Sequence, residues 1–403
     1  MTKLNELIQQ FCPDGVEYKT LGSFATISRG GNFQKKDFRD DGFPCIHYGQ
    51  IYTKYGLFVD QTVSFISPVC ASKQKIALKN DIIMAVTSEN IEDVCKCLVW
   101  LGDGEVAVSG HTAIIRHLQN PKYLAYYFHS RMFFDQKRKL AHGTKVIEVT
   151  PDKLASVKIP LPPIDEQRKI AAILDKVSDL IAKRQQQLDK LDEAVKARFV
   201  EVFGEPDENP KHWQEDELSH HLKVIGGYAF KSDGFTDEGI PVLRIGNINS
   251  GHFLPVNMVY WPDDLALARY KVFPGDLVMS LTGTVGKDDY GNVCILGADY
   301  DEYYLNQRNA KLSIEKSLNK CYFSELLKFP RIKKRLTGIS RGIRQANISN
   351  KDILTLRVPM PPIELQEQFA AFVEQTEKTK IIISHSLEKL ETLKKALMQE
   401  YFG

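Results

Sequence analysis

The chain has 403 residues, 43% hydrophobic and 26% charged, with a formal net charge of +2. This length excludes a single small domain, and the composition excludes a disordered chain. A nearly balanced total excludes nucleic-acid binding by bulk charge, so any phosphate-gripping surface has to be local. No apolar run approaches a signal peptide or a membrane span, which predicts a cytoplasmic protein. The seven cysteines are odd in number and lack a disulfide-like framework. Cys95 and Cys97 form a lone C-x-C, so all seven are expected to be reduced, packed thiols.

Residues 1–20 read as a polar lead-in that reaches an anchor at Tyr18 and Leu21. Short apolar runs of strand length follow at Phe24–Ile27, Cys45–Tyr48, Ile82–Val86, Cys97–Leu101 and Thr112–Ile115, punctuated by Gly, Asp and Asn. A helical stretch is expected over Pro121–Leu140. Pro160, Pro162 and Pro163 then exclude helix interior, because each fixes φ and removes a donor. Beyond them lie forty residues without Gly or Pro, rich in Ala, Leu, Lys, Glu and Gln, which predict one continuous helix ending at Gly204. Asp165 and Glu166 suit its first turn. Positions 170, 174, 177, 181, 184, 188, 191, 195, 198 and 202 form a 4-3 seam that is mostly apolar, as in a coiled coil. At 1.5 Å per residue the rod is about 60 Å long and needs a partner helix.

Glu205–Lys211 (EPDENPK) is a polar linker, after which the pattern begins again. Leu218 matches Leu21, Gly239-Ile240-Pro241 matches Gly42-Phe43-Pro44, and Ile245-Gly246 matches Tyr48-Gly49. Pro359, Pro361 and Pro362 repeat the hinge at an offset of 199 residues, and Phe402-Gly403 repeats Phe203-Gly204. The second seam runs through Phe369, Val373, Thr376, Lys380, Ile383, Leu387, Leu390, Lys394, Leu397 and Tyr401. The expected division is therefore a first module over 1–156, hinge and long helix over 157–204, linker over 205–217, second module over 218–355, and hinge and helix over 356–403. Each module is of the α+β class, and the repeat is too long for a solenoid.

Catalytic motifs fail one by one. Leu161-Pro162-Pro163-Ile164 and Met360-Pro361-Pro362-Ile363 lack the polar and aromatic flanks of an amino-methyltransferase motif. Gly286-Lys287 has Leu281 and Asp288 where a P-loop needs Gly and Ser or Thr. Pro13-Asp14 with Glu17 and Lys19 mimics a metal-dependent nuclease signature, but in a lead-in rather than on adjacent strands. His220-His221 has no metal-ligand spacing. The expectation is a chain with no catalytic site and no metal.

What remains points to nucleic acid. Lys137, Arg138 and Lys139 recur as Lys333, Lys334 and Arg335, each followed by a Gly-anchored loop carrying Lys145, or Arg341 and Arg344. These are candidate phosphate contacts, although cations also suit a helix C-terminus for its own sake. Loops mixing cations and amides supply candidate base readers: Arg29, Asn32, Gln34 and Lys35 in the first module, and Arg244, Asn247, Asn249, Gln307 and Arg308 in the second. Arg pairs with guanine, and Asn or Gln with adenine, through two hydrogen bonds in the major groove.

The duplicated hinge-helix segments (PLPPIDEQRKIAAILD and PMPPIELQEQFAAFVE), the lead-in FCPDGVEYKTLG and the linker FGEPDENPKHW resemble the specificity subunit (HsdS) of type I restriction-modification systems, over essentially the whole chain. That resemblance implies two tandem target recognition domains, each reading one half of a bipartite, asymmetric double-stranded DNA target. It implies an antiparallel coiled coil of the two long helices, pseudo-two-fold, that spaces the modules and docks two methyltransferase subunits. S-adenosylmethionine would then belong to those subunits, and ATP and Mg2+ to up to two motor-nuclease subunits. Two DNA readers related in this way match the symmetry of the duplex, and helix length would set the spacer. The competing readings are a coiled-coil adaptor with protein-binding modules and a catalytically complete single-chain restriction enzyme.

Overall fold

A computed structural model describes residues 16–248, 250–285, 287, 289–338 and 345–403. The chain forms two compact units, one running up to Gln185 and completed by His385–Gly403, the other comprising Gln186–Ser384.

In the first unit, Thr112–His117 lies between Ala25–Arg29 and Ile82–Ala85, and Cys97–Trp100 continues the antiparallel order. Phe58–Val59 adds a parallel edge. A second sheet has the order Phe65–Ile66, Phe43–Ile46, Val106–Val108, Lys75–Ala77, with its two middle strands parallel. Ile82–Ala85 and Cys97–Trp100 are buried along their whole length. Because side chains alternate along a strand, Ile83, Ala85, Leu98 and Trp100 pack with Ile46, Val106 and Val108 of the second sheet. Ile82, Met84, Cys97 and Val99 face the other way, toward Tyr123, Leu124 and Tyr127. Burial pushes the thiols of Cys45 and Cys95 up to about 12, which leaves them inert at neutral pH.

Pro121–Leu140 is two helices, Pro121–Tyr127 and Arg131–Leu140, and not the single one expected. Ser130 makes the break. Its backbone is extended and its Oγ accepts from the Phe133 N–H at 3.2 Å, so it caps a new helix.

The second unit repeats the plan. One sheet runs Leu222–Gly226, Asn309–Ile314, Leu277–Ser280, Val293–Ile295; the other runs Val259–Trp261, Ile240–Leu243, Tyr303–Leu305, Lys271–Val272, again with a parallel middle pair. Lys320–Leu326 and Pro330–Thr337 are its helix pair.

Both proline hinges are two-stranded ribbons, Lys158–Pro160 against Tyr18–Thr20 and Arg357–Pro359 against Glu215–Glu217, where the missing donors interrupt no larger sheet. Asp216, in the second ribbon, is bonded by His220 Nδ1 at 2.9 Å and His221 Nε2 at 3.1 Å. A buried glutamine locks each hinge to its module. Gln167 donates to the Pro162 carbonyl at 2.8 Å and accepts from the Asn120 N–H at 3.0 Å. Gln366 does the same with Pro361 and Asn319, both at 2.8 Å. Tyr123 and Tyr322 donate to the Pro160 and Pro359 carbonyls at 2.7 and 2.8 Å.

The long helices, Ile164–Phe203 and Ile363–Phe402, are 40 residues each. In the first unit Ala171, Leu174 and Val177, from the start of one helix, share a core with Leu397 and Phe402, from the end of the other. In the second unit Val195, Phe199 and Phe203 meet Phe369 and Val373. The helices are therefore antiparallel, their seams covering one another. Near its ends each helix is buried on a wider stripe than the seam predicts, because the module packs on it too. Phe199, off the 4-3 positions, stacks on Tyr322 at 5.4 Å and touches Phe329 and Phe369. Gly204 has φ +81°, and a Cβ there would stand 2.6 Å from Pro210 Cγ, so only glycine ends this helix against the linker. No helix among the described residues is long and apolar enough to cross a membrane.

Candidate nucleic-acid interface

The two basic helix ends are built alike, and differently from the sequence expectation. Lys137 is only 6% exposed. Its ammonium donates to the Glu92 and Val94 carbonyls at 2.8 and 2.7 Å, and burial lowers its pKa. Lys333, at the equivalent position, donates to Asn292 Oδ1 at 2.8 Å. The cause is helical periodicity. Phe133, Lys137 and Leu140, like Phe329, Lys333 and Leu336, are spaced i, i+4, i+7 and share the inward face. Lys137 thus serves the module's interior and is corrected from the phosphate-contact set, and Lys333 is half-buried on the same face.

The other cations point outward. Arg138, Lys139, Lys145 and Lys334 are exposed, and no hydrogen bond or ion pair to described residues engages their side chains. Arg335 is exposed as well, with Nη1 3.3 Å from the Arg357 carbonyl. Arg341, Arg344 and Asn249 lie outside the described residues.

Several candidate base readers of the second module meet at one cleft of about 550 Å³, lined by Arg244, Asn306, Gln307 and Arg308 together with Phe230 and Phe235. Two elements position them. Arg244 ends the strand Ile240–Leu243 and enters the turn Ile245–Asn247, and Gln307 and Arg308 connect Tyr303–Leu305 to Asn309–Ile314. Gln307 and Arg308 are exposed, while the Arg244 guanidinium donates to the Asn257 carbonyl and is half-buried. Asn247 does not belong with them. It is 2% exposed, and its amide donates to the Leu254 and Val256 carbonyls, both at 3.0 Å, so it shapes the cleft wall instead of reading a base.

In the first module, Arg29 donates to the Gly110 carbonyl at 3.0 Å and pairs with Glu148 at 2.7 Å, which neutralises its charge within the fold. Its side chain stays about half exposed beside that pair. Asn32, Gln34 and Lys35 are exposed on the loop leading into the short turn Lys35–Asp37. Lys35 lies beside Gly49 and His47.

The residues lining that cleft have positional counterparts in the first module at a constant offset of 197 residues, fixed by the parallel bridges Gly31 to Ser109 and Tyr228 to Asn306. On that register His47 stands where Arg244 stands, Tyr48 where Ile245 stands, and His111 where Arg308 stands. The rings are close: His47 to Tyr48 is 4.5 Å and Tyr48 to His111 is 4.9 Å between centroids, with Phe33 and Phe38 against His47 at 6.3 and 5.8 Å. His47 Nδ1 accepts from the Gly49 N–H at 3.2 Å. Burial, then Lys35, then His111 lower its pKa, so it is a neutral imidazole with Nε2–H as its donor. Residue type alone does not single out His47, Tyr48 and His111. The match of Ile245-Gly246 to Tyr48-Gly49 is the signal that points to them.

Comparison with known proteins follows the same duplication. The family model described as type I restriction modification DNA specificity domain matches residues 13–193 and again 210–392. The MjaVIII type I restriction enzyme specificity subunit of Methanocaldococcus jannaschii is 25% identical over 348 residues, covering 81% of this chain and 79% of that protein. The EcoKI specificity subunit of Escherichia coli K12 is 21% identical over 420 residues, covering 97% and 89%. Among solved structures, the type I restriction-modification S subunit from M. genitalium matches with a TM-score of 0.58 at 15% identity over 97% of each chain. A chain from a study of complex assembly in a type I R-M system also gives 0.58, at 19% identity over 97% and 98%. These two share the fold. With both of its copies matched, the chain belongs to the type I restriction-modification DNA specificity family.

Proposed function

We infer that this chain is the DNA-reading subunit of a type I restriction-modification complex and carries no catalytic centre of its own. The observation behind this reading is one module built twice on a pair of antiparallel helices, with different exposed donors at the equivalent positions: Lys35 and His111 in one, Gln307 and Arg308 beside Arg244 in the other. Two different donor sets read two different short sequences, so the target is bipartite and asymmetric. Arg138, Lys139, Lys145, Lys334 and Arg335 hold phosphates on either side, with Arg341 and Arg344 assigned the same role from sequence. The functional division follows the hinges, with readers over 1–156 and 218–355.

The long helices space the readers and dock two methyltransferase subunits, which bring S-adenosylmethionine and methylate adenine in each half. Up to two further subunits use ATP and Mg2+ to translocate and cut. The complex works in the cytoplasm, where its DNA is. Co-expression with a methyltransferase subunit encoded beside it, followed by single-molecule sequencing of modified adenines, tests this. The expected result is a split motif with a fixed unspecified spacer. A stable complex that leaves adenines unmodified would favour protein-binding modules on a coiled-coil adaptor.

A further inference from the structure

The two modules differ at these equivalent positions in one chemical respect that the DNA-reading function does not require. Arg244 and Arg308 of the second module are permanent cations, because guanidinium does not deprotonate in proteins. Their counterparts His47 and His111 are imidazoles, the side chain whose charge changes between pH 5 and 8. His47 is committed to the neutral form by its hydrogen bond from Gly49. His111 is exposed, and its Nδ1 meets the Thr87 hydroxyl at 3.1 Å, a group able to donate or accept.

We propose that His111 is a proton-linked DNA contact, so that the first half-site is held more tightly as pH falls while the second half-site is held independently of pH. This inference rests on the DNA-reading function above. The groups around His111 fit the role. His47 and Lys35 lie on the side of the turn Tyr48–Thr53. The Tyr48 ring packs against both imidazoles. On the sheet side Thr87 pairs across from Glu148, whose carboxylate is engaged by Arg29, and Arg29 in turn holds the carbonyl of Gly110. Glu148, the carboxylate across this strand pair, is thus already matched by a guanidinium, which leaves a negative partner for an imidazolium to come from DNA. A phosphate or a guanine edge against His111 favours the protonated ring, so binding takes up a proton.

The test uses the chain assembled with its methyltransferase subunits and a duplex carrying the methylation motif mapped by sequencing. Kd is measured from pH 6 to pH 8 at fixed ionic strength, and proton uptake by calorimetry in two buffers of different ionisation heat. One linked proton weakens binding by up to about 10-fold for each unit of rising pH, so the expected loss from pH 6 to pH 8 is roughly 10-fold or more. His111→Gln is expected to bind weakly and without pH dependence, and His111→Arg to bind at pH 8 as tightly as the unmodified chain does at pH 6. A duplex with one half-site replaced should lose the pH dependence, and a duplex with the other replaced should keep it. Specific binding with no pH dependence, or a dependence that survives in His111→Gln, overturns the inference and leaves the DNA-reading function standing. Absence of any specific binding overturns both.

Discussion

Gln366 offers the sharpest test of how the modules are held. Its side chain is completely buried and joins the first turn of the second long helix to the Pro361 carbonyl and the Asn319 N–H, both at 2.8 Å. Asn319 in turn caps the helix Lys320–Leu326, its Oδ1 accepting from Cys321 N–H at 2.8 Å. Gln366→Leu keeps the volume, so no cavity opens. It leaves one carbonyl and one N–H buried without partners, at about 1–3 kcal/mol each. The expected loss is therefore roughly 2–6 kcal/mol from the second unit. In urea unfolding, with a slope of about 2–3 kcal/mol/M, the corresponding midpoint falls by about 1–3 M. Gln167→Leu should act on the first unit in the same way, since Gln167 bonds Pro162, Asn120 and Gln119. A midpoint within about 0.3 M of the parent protein at unchanged slope would show that the freed groups find other partners and that the glutamine is not the lock.

Further expectations separate structural from DNA-facing cations. Lys137→Met should destabilise the first unit by about 2–4 kcal/mol in denaturant, since the Glu92 and Val94 carbonyls lose their donor. Arg138→Ala with Lys139→Ala should leave stability unchanged and lower the slope of log affinity against log salt by about one for each phosphate no longer gripped. Arg308→Ala should relax one half of the methylated motif by about 1–3 kcal/mol at the affected base pair, seen as new motif variants in a methylome. His220, the Glu217 N–H and His221 hold the Asp216 carboxyl down at about 2. A depressed carboxyl contributes stability above its unfolded pKa and loses it as pH falls, so this contribution fades between about pH 4 and pH 2. Asp216→Asn should flatten that part of the melting-temperature profile against pH, and an unaltered acid limb would refute the assignment.

The long helices are legible in the sequence because their signals are local and repeated: three prolines, forty residues of helix formers, and a seam at 4-3 spacing. The strand cores at Ile82 and Cys97 are legible for the same reason, as runs buried on both faces. What stays hidden depends on which way a side chain turns. Lys137 and Arg138 are adjacent and chemically alike, yet 100° of helical rotation sends one inward to carbonyls and the other to solvent. Asn247 stands out for its amide, which the fold uses on its own loop. His111 does not stand out at all, because only the strand register places it opposite the position of an arginine 197 residues later.

The helix Ile363–Phe402 has a consequence for the order in which the protein is finished. Its last turns complete the unit that the chain began with, where Phe402 lies 5.2 Å from Tyr123 and 5.9 Å from Tyr127. Gln186–Ser384 is an uninterrupted stretch, whereas the other unit waits for His385–Gly403, about 200 residues after Gln185. At roughly 5–20 residues per second on the ribosome, that is an interval of about 10–40 s. During it Tyr123, Tyr127 and Leu174 have no cover from this helix, and the module made first is the one closed last. A nonsense mutation near codon 385 would accordingly damage the first reader and spare the second.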